Sequence, residues 1–111
     1  MIGSLYVSLG NSFADSANFM DGRALAHAAD ALDLVAADIG VSPVSDLYML
    51  DCTIRDMRPA AEGLAIFGGY LNYVEQHPDS VPDCAGVVDD LKMAIGIIGK
   101  GSHWCLMIDY E

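Results

Sequence analysis

Arg55 and Arg58 stand three positions apart in a chain that sets only five Lys and Arg residues against sixteen Asp and Glu. Two guanidinium groups at that spacing could clamp a carboxylate or a phosphate, because each presents a planar fork of N–H donors. Tyr48, Cys52 and His77 would complete the lining of such a pocket, built around the 41–58 segment. The competing explanation is local: Asp51 and Asp56 are close enough in sequence to balance both arginines.

The remaining reactive side chains lack the spacing that chemistry requires. His27, His77 and His103 are too far apart to form a helical metal pair at i, i+3 or i, i+4. His77, before Pro78, reads instead as a group that satisfies carbonyls at a helix end. Asp79 with Asp83, or Asp89 with Asp90, could in principle hold a divalent cation, but no calcium-loop pattern is present. Asp79 and Asp83 beside Pro82 read better as caps on the following helix. Gly68-Gly69 lies within a helical pattern, and Gly96 to Gly101 follows a helix, so neither has the arrangement of a phosphate-binding loop. No Gly-x-Ser-x-Gly elbow occurs. The expectation is a chain with no catalytic residue, no metal and no cofactor.

The formal net charge of −11 repels nucleic acid and anionic membranes and attracts cationic surfaces. With 53% hydrophobic residues the chain has the means to fold, which places the acidity on a packed domain rather than a disordered tail. No apolar run reaches the length that spans a bilayer. Met1 to Gly10 reads as a strand, not an export signal. The odd set Cys52, Cys84 and Cys105 therefore predicts reduced thiols in the cytoplasm. Asp51 and Asp83 directly precede two of them and oppose thiolate formation.

These residues must be positioned by a small number of elements. Ser4 to Leu9 alternates Leu5, Val7 and Leu9 with polar neighbours, which predicts a strand. From about Asp21 to Asp38, Leu25, Ala28, Ala29, Leu32, Val35, Ala36 and Ile39 recur at helical spacing, with Gly40 placed for a left-handed end. Residues 11 to 20 suggest a short helical turn, and 41–58 an ordered connection that could include a brief turn or a strand. Pro59 opens a helix with the stripe Leu64, Phe67, Leu71 and Val74. Pro82 opens another with Val87, Val88, Leu91, Ala94, Ile95 and Ile98 turned inward. Gly63, Gly68, Gly69 and Gly96 lower helix propensity, and would be tolerated where these two helices pack closely. Ser102 to Tyr110 alternates again, with Trp104, Leu106, Ile108 and Tyr110 on one face. The fold expected for 1–111 is one α+β domain: about three helices on a small antiparallel sheet that pairs the N-terminal and C-terminal strands.

The run Arg58-Pro-Ala-Ala-Glu-Gly-Leu, then Gln76-His-Pro-Asp, then Val88-Asp-Asp-Leu, and finally Trp104-Cys-Leu-Met-Ile-Asp-Tyr resembles a group of small uncharacterised bacterial domains. Gly40-Val-Ser-Pro-Val-Ser-Asp-Leu-Tyr is similar to their middle connection, with the acidic insert that often follows shortened or missing here. The resemblance implies a small bacterial α+β domain and brings no activity or site residue with it.

Two functions fit this reading. One is a non-enzymatic module whose acidic surface meets a basic protein partner, as immunity proteins and antitoxins do. The alternative is a small ligand-binding domain or enzyme with its pocket at Tyr48, Cys52, Arg55, Arg58 and His77. Either is compatible with a homodimer, for which Phe13, Phe19, Met20, Met49 and Met57 supply surplus apolar side chains.

Overall fold

The computed structural model describes residues 2–9, 20–49 and 55–110. Strand β1 (Ile2–Ser8) is followed by helices α1 (Arg23–His27) and α2 (Ala29–Ile39), then by a 3₁₀ turn at Val44–Asp46 and the two-residue strand β2 (Tyr48–Met49). A second two-residue strand, β3 (Arg58–Pro59), leads into α3 (Ala60–Gln76). A 3₁₀ turn at Pro78–Ser80, helix α4 (Cys84–Ile98) and strand β4 (His103–Tyr110) complete the path. The α+β class and the antiparallel pairing of the first and last strands are as expected. The expected turn over 11–20 lies outside the described residues, apart from Met20.

Strand β4 organises the sheet, because each of the other three strands pairs with it. Leu5 stands opposite Ile108 and Val7 opposite Leu106, so the alternating apolar residues of both strands share the core face. The sheet is mixed rather than purely antiparallel: β2 runs parallel to β4, with Tyr48 opposite Leu106. Parallel neighbours require a long crossover, and the chain between β2 and β4 supplies it with α3 and α4. The undecided 41–58 segment thus contains both a brief helical turn and strand.

The expected first helix is two helices. Ala28 leaves helical geometry at φ −95°, ψ 1°, and its N–H meets both the Ala24 and Leu25 carbonyls, at 3.1 and 3.2 Å. The far end follows expectation, since Gly40 takes φ 73°, a conformation that L residues adopt at a cost. Helix α3 begins just after Pro59, which is extended. Its buried face is Gly63, Ile66, Phe67, Tyr70 and Val74, and the expected stripe member Leu64 is exposed. Trp104 is the reason. A Cβ on Gly63 would lie 2.5 Å from Trp104 Nε1, so the indole rests on bare helix backbone. The indole N–H also donates to Pro59 O at 3.0 Å, and the ring meets Phe67 edge-on at 5.4 Å. Gly68 and Gly96 face open space, so they do not mark a close helix contact as expected.

One continuous core results, with Leu5, Leu32, Phe67, Tyr70, Leu91, Trp104 and Leu106 all fully buried. Met20, expected among the residues available for self-association, is buried here, with its Sδ 3.5 Å from the Val7 N–H. Met49 and Met57 are half-buried, and Phe13 and Phe19 lie outside the described residues. Among the described residues no helix is long and apolar enough to cross a membrane.

Candidate functional site

The described side chains among those proposed for a pocket do not all converge. Tyr48 sits half-buried in β2, packed on the core. Arg55 is exposed in a turn, and Cys52 lies outside the described residues. Arg58, opposite Trp104 in β3, donates from Nη1 to Glu62 Oε1 at 2.6 Å. That places it on the first turn of α3, where a carboxylate also faces the positive helix end. His77 is at the opposite end of that helix, a separation of roughly 25 Å at 1.5 Å per residue. There its Nδ1 lies 3.0 Å from Tyr73 O and its ring stacks on Tyr73 at 4.2 Å, so it caps the helix as expected. Tyr48 and Arg58 share a neighbourhood, through Leu106 and Trp104 of β4.

Several carboxylates turn out to be parts of the scaffold. Asp83 caps α4 as expected: its Oδ1 accepts from Gly86 N–H at 3.3 Å, with the residue itself left-handed at φ 49°. Two more caps come from distant elements. Asp33 of α2 accepts from Ser45 N–H at 3.1 Å, at the start of the 3₁₀ turn. Asp90 of α4 accepts from Leu25 N–H at 3.0 Å, in the first turn of α1. Helix α1 has no cap of its own, because the residue before it is Gly22. Burial raises the Asp90 carboxyl above its ordinary range, more than the amide donors lower it. Nothing in local sequence spacing signals the Asp33 and Asp90 roles.

Two acidic residues that serve no cap, Asp30 and Asp38, lie on the outward face of α2. Asp30, Leu34, Ala37 and Asp38 are all exposed there, and Asp46 of the adjoining 3₁₀ turn is exposed as well. Leu34 is 74% accessible, well above Leu64 and Met93, the other exposed large apolar side chains among the described residues. Sequence reasoning passed over Leu34, yet a signal was there: it is the leucine that falls outside the helical stripe. No Lys or Arg occurs between Arg23 and Arg55. Among the described residues, no group of three or more His, Cys, Asp and Glu side chains could hold a metal ion.

The cysteines depart from expectation. Cys105 is buried and, against the expectation of a reduced thiol, disulfide-bonded, whereas Cys84 is a free thiol at the start of α4, 3.9 Å from Val74 O. Comparison with known proteins gives no matching family model, no matching curated protein and no matching solved structure.

Proposed function

We propose that this chain is a non-enzymatic, acidic protein-interaction module that binds a basic protein partner, in the manner of bacterial immunity proteins and antitoxins. One observation carries the reading: Asp30, Asp38 and Asp46 lie exposed on α2 and its adjoining turn, in a stretch of sequence without a single Lys or Arg. Uncompensated charge concentrated on one element steers an oppositely charged surface and speeds encounter. The alternative of an anion pocket at 41–58 is weakened by the engagement of Arg58 with Glu62. The disulfide at Cys105 weighs against the reducing cytoplasm as its place of work.

The test is to mix the purified protein with the product of the adjacent reading frame and follow association at increasing ionic strength. A stoichiometric complex with a basic protein, whose association rate falls steeply with salt, supports the reading. A protein that stays alone at low salt, and that protects cells from no co-expressed nuclease or hydrolase, ends it.

A further inference from the structure

Helix α2 buries Ala29, Leu32, Val35 and Ala36. At 100° per residue these positions centre on the side of the helix opposite residue 34, so Leu34 occupies the outermost line of the element. Asp30 and Asp38 stand one turn to either side of it, and Ala37 continues the apolar centre. Helix propensity does not require leucine here, since Gln or Lys would serve about equally well. The arrangement is an apolar knob between two carboxylates.

We propose that Leu34 is the anchor of the binding face, and that the partner presents an apolar socket rimmed by Lys and Arg. This inference rests on the module reading above and names the partner chemistry for it. A leucine entering a socket contributes affinity by leaving water, while the flanking carboxylates pair with the cationic rim and set orientation. A second copy of this chain does not fit the face. A symmetric contact would bring Asp30 and Asp38 against their own counterparts with no cation between them.

Two synthetic peptides of equal positive charge separate the parts of the claim: an oligolysine, and an amphipathic helix carrying lysines and one leucine face. Each is titrated into the isotope-labelled full chain with its disulfide intact, and binding is read from backbone amide shifts. The amphipathic peptide is expected to bind at least about tenfold more tightly than oligolysine, with shifts concentrated at 30–38 and 45–46. Leu34→Gln should abolish that margin while leaving the thermal midpoint unchanged. The double variant Asp30→Asn/Asp38→Asn should weaken both peptides and flatten their salt dependence. Equal binding of the two peptides, indifference to Leu34→Gln, or shifts located away from α2 would overturn the anchor and leave the module reading standing. If neither peptide binds, both fall together.

Discussion

Asp90 shows two opposing demands on one carboxylate. Its oxygen is needed by the Leu25 N–H, yet its partly buried position disfavours the charge that makes it a good acceptor. Asp90→Ala removes the acceptor and should cost about 1 kcal/mol in denaturant unfolding. The pH dependence has a definite sign. A carboxyl whose pKa is raised by folding contributes stability that is complete below the unfolded value and is lost as pH rises through the folded one. Asp90→Asn keeps an acceptor oxygen but does not titrate. Its stability relative to the wild type should therefore improve as pH rises from about 4, the unfolded Asp value, and then level off. A difference that stays flat across this range would show that the burial of Asp90 has little energetic consequence. Tyr70 is a second anchor of this kind: its hydroxyl donates to Ser42 O at 2.6 Å, and burial raises its pKa. Tyr70→Phe should lose about 1 kcal/mol of stability.

At the scale of elements, the glycines of α3 and α4 make a paired prediction. Gly63→Ala would drive a methyl into the Trp104 indole, and should destabilise by about 1–3 kcal/mol. Gly68→Ala and Gly96→Ala meet open space within helices, and should each stabilise by roughly 0.5–1 kcal/mol. Thermal melts of the three variants would check both signs. The same contrast explains what could be read from the amino-acid order. The strands β1 and β4 and the inner face of α4 were legible because apolar residues mark their buried sides at the right period. The inner face of α3 was not, because its key position is a glycine, which carries no hydrophobic signal, and a tryptophan from another element chooses the face. The break at Ala28 was equally hidden in a run of good helix formers. For the candidate site, the acidity of α2 could be read directly. The Asp90 cap could not, since its donor is 65 residues away.

At the scale of the molecule, charge and cross-linking pull in opposite directions. A net charge of −11 makes the folded chain repel itself, so moderate salt should raise its thermal midpoint by screening. Reductant should lower that midpoint, because a lost disulfide typically removes about 2–4 kcal/mol. Scanning calorimetry with and without salt and reductant separates the two effects, and a melt indifferent to reductant would count against a structural role for the Cys105 bond. The dependence of every strand on β4 also reaches back to synthesis. As the chain leaves the ribosome, β1, β2 and β3 emerge well before the strand that templates them, so Leu5 and Val7 wait without a sheet until residues 103–110 are clear of the exit tunnel. Nascent chains stalled upstream of His103 should remain sensitive to protease, and release of those few residues should confer resistance in a single step.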